Sequence, residues 1–499
     1  MGPNDLNLGR PVGLLESYST SRHNLGFYCC VAQTARFNVP QSALQDQNLE
    51  SVVEHAVAQT ILSHPILQVG IVGEDTTTPS FVYLPSLDLS KLIRWEQVDA
   101  DTPSGRDAAL QRVLEVRHST LWPELHRQPG YQFIVLEPSL SERSSAAILT
   151  IDIVFAFHHG YGDGTSGVIL QRTLLEALNS PGLVPSFNPS SHVLTIDSAS
   201  PLPPPQDALI NFKISWFFLI KTLWGEFAPS FLKPAPSEPA WAGKPISLLP
   251  EGTHLRLFSL PGTTASDIVA RCREKSTTLT PLLHVLVLHS LVKRLPESAV
   301  ANHTLTCATP ISLRRLLPPG GKLGFDRDSS MGVVLAGQDH RFSASTIRKI
   351  RAGGAADEVL VWDLTASMAG ELKRKVATLP NDDITALMAW VSDYNAWWRK
   401  KLGKERENTW EVSNVGAADF TPHDEKAIWS VDRVIFSQSG NVAGPAFSVS
   451  VAGVKGGELA VTLSWQESIV DEQLLDGVAG DLKQWLSNFA RLGRFGFAA

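Results

Sequence analysis

Seven consecutive residues carry the densest chemistry of the chain: His158-His159-Gly160-Tyr161-Gly162-Asp163-Gly164. Imidazole is the side chain best suited to take up and return a proton near neutral pH. A nearly continuous apolar run, Ala146 to Phe157, precedes the pair and reads as a central strand covered on both faces. A helix is predicted from about Thr165 to Leu178, with Leu170, Leu174 and Leu178 on one face. A strand end orients the side chain that follows it, and glycines allow a tight turn and close approach of a ligand to the backbone. The plainer alternative is a pair of core histidines on a tight loop. A metal site is disfavoured, because adjacent histidines project in different directions and only one Asp follows nearby.

The elements that must position this loop can be read on either side of it. Asn48 to Ser63 has helical spacing and stops at His64-Pro65, since the residue before proline avoids the helical region. Ile66 to Val72 reads as a strand. Thr280 to Leu295 is a strongly apolar helix, and Thr304 to Thr309 a strand. Phe447 to Val454 and Glu458 to Trp465 alternate around Gly456-Gly457, a hairpin signature. Asp471 to Leu492 closes the chain as a helix, with Leu474, Val478, Leu482, Trp485 and Phe489 three or four apart. Ala355 to Asp363 gives no clear period, and Arg399 to Asn408 reads as a solvated charged run.

The 499 residues predict two or three domains or lobes at ~100–200 residues each. Prolines at 201, 203, 204 and 205, and a second proline-rich patch from Pro229 to Pro250, read as connectors. They divide the chain into an N-terminal lobe (1–200) carrying the His-His loop, a crossover linker (201–250) and a C-terminal lobe (251–499). The mixture of element types predicts an α+β fold of two sandwich-like lobes. Phe212 to Phe227 is aromatic but too short to span a bilayer. It reads as a helix packed on the crossover or, alternatively, as a patch for peripheral membrane contact.

A composition of 43% apolar and 19% charged residues is that of a soluble globular protein, and a net charge of -7 argues against a general nucleic-acid binder. Cys29, Cys30, Cys272 and Cys307 form no CxxC pair, so a disulfide framework or zinc site is not expected. The polar start, Met1 to Arg10, has no apolar signal core. A cytoplasmic location is the expectation, with a position beside an endomembrane or lipid surface as the alternative.

His158-His159-x-x-x-Asp163-Gly164 resembles the HHxxxDG motif of the chloramphenicol acetyltransferase, condensation-domain and BAHD superfamily. Arg10 to Thr20 and Arg22-His23-Asn24-Leu25-Gly26-Phe27-Tyr28 are similar to the start of the fungal alcohol acetyltransferase family. Trp410-Glu411-Val412-Ser413-Asn414-Val415-Gly416, Phe436-Ser437-Gln438 and the hairpin through Trp465-Gln466-Glu467 resemble its later motifs. The resemblance runs over essentially the whole chain. The DFGWG motif of the plant BAHD branch is missing, which limits what can be carried over from that branch.

The resemblance implies two chloramphenicol-acetyltransferase-like lobes, each a mixed sheet packed with helices, with an active-site tunnel between them. It implies transfer from acetyl-CoA or another acyl-CoA to a small-molecule alcohol, with no metal, in a monomer that does not bind nucleic acid. His159 would be the general base and His158 a supporting residue. Asp163 would be structural, paired with Arg314 in preference to Arg315. Tyr161, Gly162 and Gly164 would shape the acceptor pocket, and Ser413 or Asn414 would face the developing oxyanion. His23 reads as a satisfied histidine. Two alternatives stay open: a condensation or cyclisation enzyme using the same histidine, and a non-catalytic binding protein of the same fold.

Overall fold

The apolar run before the His-His pair is buried because its strand lies inside a sheet with helices packed against it. The computed structural model describes residues 7–497 apart from 45–47, 99–101, 140–146, 228–239, 249–251, 301, 355–356 and 423. The first half contributes helix α1 (Leu14–Asn24), strand β1 (Val31–Pro40), helix α2 (Leu49–Ser63), strands β2 (Ile93–Val98), β3 (Tyr131–Pro138) and β4 (Ile148–Phe157), and helix α3 (Gly164–Asn179). Next come helix α4 (Trp216–Phe227), strand β5 (Thr253–Leu260), helix α5 (Leu279–Arg294), strands β6 (Leu305–Ser312) and β7 (Leu335–Phe342), and helix α6 (Asp357–Thr378). The chain ends with strands β8 (Trp410–Ala418), β9 (Ser430–Gln438), β10 (Phe447–Val454) and β11 (Leu459–Gln466), and helix α7 (Glu472–Leu492). Ala146, much of Pro229–Pro250 and Ala355 lie outside the described residues.

Two mixed sheets result, each packed with helices, in an α+β architecture. The first has the order β9-β1-β4-β3-β2, the second β5-β11-β10-β8-β6-β7. Within the first, β1 and β4 are antiparallel with Val31 opposite Phe157, while β2 and β3 run parallel. Strand β9 comes from the late part of the chain yet pairs antiparallel with β1, Gln438 opposite Val31. Helix α3 lies close against β1: a Cβ on Gly167 would stand 2.7 Å from the Gln33 Cβ. Each sheet has its own extended apolar core, one around Phe133, Phe155 and Leu174, the other around Leu286, Trp410 and Leu482.

Several expectations need correction. Ile66 to Val72 is strand only over Val69–Val72; Pro65 opens a 3-10 turn over Pro65–Gln68. The turn lets the Gln68 side chain donate to the Ile61 carbonyl at the open end of α2 (3.1 Å). The stretch after residue 356 that showed no clear period is the long helix α6, and its weak pattern fits a helix only partly buried. The charged run Arg399 to Asn408 is mostly exposed, but Arg406 is buried and donates to the Lys244, Asn441 and Gly444 carbonyls. The aromatic helix begins at Trp216 rather than Phe212, and it turns Trp216 (78% exposed), Phe217 (78%), Ile220 (62%) and Trp224 (56%) to solvent. These fall on one helical stripe, so packing on the crossover accounts only for the opposite side.

One buried cluster ties the motif loop to the second half. Asp163 is fully buried and caps α3: its Oδ1 accepts from the Ser166 N–H (2.9 Å) and the Ser166 hydroxyl (3.0 Å). Its Oδ2 accepts from the Val334 N–H (3.1 Å), and Arg314 Nη2 stands 3.4 Å from Oδ1. Arg314 also donates to the Ser330 and Gly332 carbonyls, whereas Arg315 is exposed. Removing one member of a buried ion pair strands the other, at ~3–5 kcal/mol. Arg314→Met and Asp163→Ala should therefore each lower the thermal midpoint and soluble yield. Lys455→Ala, which breaks an exposed pair with Asp419, should change the midpoint little, since such pairs contribute ~0–1 kcal/mol. Equal midpoints for all three variants in thermal denaturation would contradict the buried clasp.

Candidate active site

Strand β4 ends at Phe157, and the chain turns at once. The His158 N–H donates to the Gly130 carbonyl (2.7 Å) and the Tyr161 N–H to the His158 carbonyl (3.0 Å). None of Gly160, Gly162 and Gly164 has a positive φ, so a left-handed turn is not what they serve. They make room. A Cβ on Gly162 would sit 2.6 Å from the Ser166 Cβ, and one on Gly164 would sit 2.5 Å from the Val415 Cγ1 of the facing sheet. The close approach expected of a ligand is made by the protein itself.

His159 is half-buried and borders a cavity of about 170 Å3 between the two sheets. Its Nδ1 lies 3.0 Å from the Gly162 carbonyl oxygen. A carbonyl only accepts, so in the neutral ring Nδ1 carries the hydrogen and Nε2 keeps its lone pair. Burial lowers the His159 pKa to about 4, with the Arg22 charge adding to the effect, and the ring is neutral at pH 7.

His158 points the other way and is fully buried. Its Nδ1 accepts from the Gly160 N–H (2.9 Å), so Nε2 carries the hydrogen toward Glu74 (3.2 Å). His23 mirrors it: Nε2 accepts from the Trp122 N–H (3.0 Å), and Nδ1 faces Glu74 at 3.2 Å. Burial acts to raise the Glu74 pKa, but the hydrogen bonds from His158 and His23 outweigh it and bring it to about 2. Two histidines and a carboxylate at this spacing are a potential metal cluster. Here both inward nitrogens carry hydrogens fixed by backbone donors behind them, so a cation would have to break both backbone bonds. The geometry is that of a hydrogen-bonded brace beneath the loop.

The opposite wall is β8. Trp410 and Val412 are fully buried in the second core, while Glu411, Ser413 and Val415 border the cavity, the alternation of a strand. The register shifts between Asn414 and Gly416, where Gly416 has φ 86° and its N–H meets the Asn414 Oδ1 at 2.9 Å. This bulge brings Asn414 to the cavity beside Ser413. Asn414 Nδ2 donates to the Thr280 hydroxyl (3.1 Å). Glu411 Oε1 accepts from the Ser448 hydroxyl (2.8 Å) and Gln438 Nε2 (3.2 Å), and burial raises its pKa. Arg22 and Tyr28 complete the lining from the first half.

The structure thus brings His159, Gly164, Ser413 and Asn414 to one cavity. Gly162 contributes through its carbonyl. Tyr161, expected at the acceptor pocket, is instead fully buried away from it, its hydroxyl donating to the Val69 carbonyl (2.9 Å) and accepting from the Gly130 N–H (3.1 Å). Ser413 and Asn414 lie in strand β8. Sequence reasoning gave no role to Glu74, Arg22, Tyr28 or Glu411. The period-two pattern of Trp410 to Val415 could have singled out Glu411; Glu74, on a loop far from the motif, left no local signal.

A family profile for alcohol acetyltransferases matches residues 11–479. The chain is 30% identical to a probable alcohol acetyltransferase, FCK4, of Fusarium pseudograminearum, over 99% of this chain and 98% of that protein. Its fold is similar to the TRI3 trichothecene 15-O-acetyltransferase of Fusarium sporotrichioides (TM-score 0.67, 14% identity, 94% of each chain). It is also similar to the first condensation domain of the calcium-dependent antibiotic synthetase (TM-score 0.57, 12% identity, 99% of this chain and 98% of that one). With this fold and a match over nearly its full length, the chain belongs to the alcohol acetyltransferase family and is an acyltransferase enzyme.

Proposed function

We propose that the protein transfers an acyl group, in the first instance acetyl, from acyl-CoA to the hydroxyl of a small alcohol of fungal secondary metabolism, with His159 as the general base. The observation that carries this is the bond from His159 Nδ1 to the Gly162 carbonyl, which leaves Nε2 as the proton acceptor of a ring bordering the cavity. Nε2 takes the acceptor's hydroxyl proton as its oxygen attacks the thioester carbonyl and the new C–O bond forms. The tetrahedral intermediate then breaks its C–S bond, and the proton on Nε2 passes to the departing thiolate. Atoms balance without an acyl-enzyme, so both substrates must be held together, which a cavity between two halves permits. Ser413 and Asn414, on the wall that faces the motif loop, are the candidate donors to the oxyanion.

Supporting roles follow from position. Asp163 and Arg314 hold the loop, and His158 braces it through Glu74. A condensation or cyclisation enzyme would use the same base, and product mass separates these outcomes: an acyl gain for transfer, an isomer of the acceptor for cyclisation. We further propose that the stripe of Trp216, Phe217, Ile220 and Trp224, with Lys221 exposed beside it, rests on a membrane surface. Among the described residues no helix is long and apolar enough to cross a membrane, so the contact would be peripheral. Trp216→Ser with Trp224→Ser should reduce co-sedimentation with anionic phospholipid vesicles; unchanged sedimentation would argue against the contact.

Incubation with acetyl-CoA and a panel of alcohols, followed by thiol release and product mass, tests the transfer. His159→Ala should lower the rate by about 10²–10⁴-fold, the usual contribution of a positioned base. An unchanged rate would remove His159 from that role. Because the His159 pKa is lowered, the base is competent above about pH 4 and is lost below it. The wild-type rate should rise through about pH 4 and be level near neutrality. An acid limb near the ordinary histidine pKa would contradict the neutral ring.

A further inference from the structure

Arg22, on helix α1, borders the same cavity as His159 and is 7% exposed. Buried guanidinium groups normally meet a carboxylate or several carbonyls. Among the described residues no carboxylate pairs with Arg22, and its Nε is buried with no acceptor. It lies instead against aromatic faces: its guanidinium carbon is 4.6 Å from the Tyr18 and Tyr28 ring centroids and 6.0 Å from that of Trp398. Such faces return less than it costs to remove the charge from water. The cation is caged but not neutralised.

No carboxylate on the opposite wall forms an ion pair with it either. Glu411 feels the Arg22 charge across the cavity, but it is not within ion-pair distance, its Oε1 already accepts from Ser448 and Gln438, and burial outweighs that charge and moves it toward the neutral acid. Tyr28 neighbours both the cation and the base, its ring 5.8 Å from that of His159 between centroids. A cavity of about 170 Å3 holds a small molecule and not the nucleotide end of CoA. The group that complements Arg22 must therefore arrive with the substrate that occupies this space.

We propose that Arg22 is an acceptor-recognition residue and binds a carboxylate, or a chemically equivalent anionic oxygen, carried by the alcohol that the enzyme acylates. The proposal rests on the acyl-transfer reading and narrows its acceptor to an acidic alcohol. The planar guanidinium offers paired N–H donors to a carboxylate, and charge-assisted hydrogen bonds are the strong ones. The aromatic cage holds the fork in place, so little is lost in ordering it on binding.

Equilibrium binding without acyl-CoA tests this on the full chain, since no oxyanion forms in the absence of donor. Calorimetric titration would compare formate, propanoate and benzoate with formamide, propanamide and benzamide, pairs matched in shape and different in charge. The wild type should bind at least one carboxylate about 10–100-fold more tightly than its amide, the range of a charge-assisted pair. Arg22→Gln should abolish that preference, and Arg22→Lys should keep part of it. No preference for any carboxylate in the wild type, or the same preference in Arg22→Gln, would overturn the proposal. The wild-type comparison and the Lys variant stand even if the Gln variant misfolds. A negative thiol-release assay with a positive titration would count against acyl transfer alone; the reverse would count against Arg22 alone.

Discussion

A carboxylate removed from water must be met by donors on every side, and the arrangement around Asp163 follows from that constraint. Its two oxygens take hydrogen bonds from Ser166 at the start of α3 and from Val334 in the other half, with Arg314 alongside. One side chain thereby starts a helix, ends a loop and fastens that loop across the cleft. The Gly162 carbonyl is the residue immediately before it, and that carbonyl sets which nitrogen of His159 holds the hydrogen. The base is thus defined by a chain of short-range geometry that begins with the buried charge of the next residue along the backbone.

The electrostatics of the cavity extend the same theme. His159 is neutral because burial disfavours its charged form, and the Arg22 cation across Tyr28 reinforces this. A base of low pKa is weaker, so the site gains readiness at neutral pH at some loss of proton affinity. Glu74 behaves oppositely: two imidazole N–H donors keep it ionised despite burial. The two histidines of one motif therefore do different work, one facing the cavity and one anchored behind it, although their side chains are identical and adjacent.

The strands and helices with strong periodicity were legible in the sequence: the apolar run ending at Phe157, the helix after Asp163, the hairpin around Gly456-Gly457 and the closing helix with Val478 and Trp485 inside. What was not legible depended on contacts distant in sequence. Tyr161 could not be separated from the cavity by its position in the motif, because only the carbonyl of Val69 shows where its hydroxyl goes. Glu74 acquires meaning only beside His23 and His158. The period of α6 was blurred because few of its residues are buried, and Arg406 was hidden within a charged run because backbone carbonyls distant from it in sequence supply its partners.

Strand β9 has a consequence for how the molecule is made. Residues 430–438 form the outer neighbour of β1, whose own residues are 31–40. During synthesis the first sheet must wait for residues 430–438 to leave the ribosome, and until then β1 presents an unpaired backbone edge able to capture another chain. Contacts of such sequence separation also slow closure of the sheet. A nascent chain stopped short of residue 430 is therefore incomplete in its first half as well as its second, and truncation shortly before that point leaves an aggregation-prone edge beside the strand that leads into the histidines.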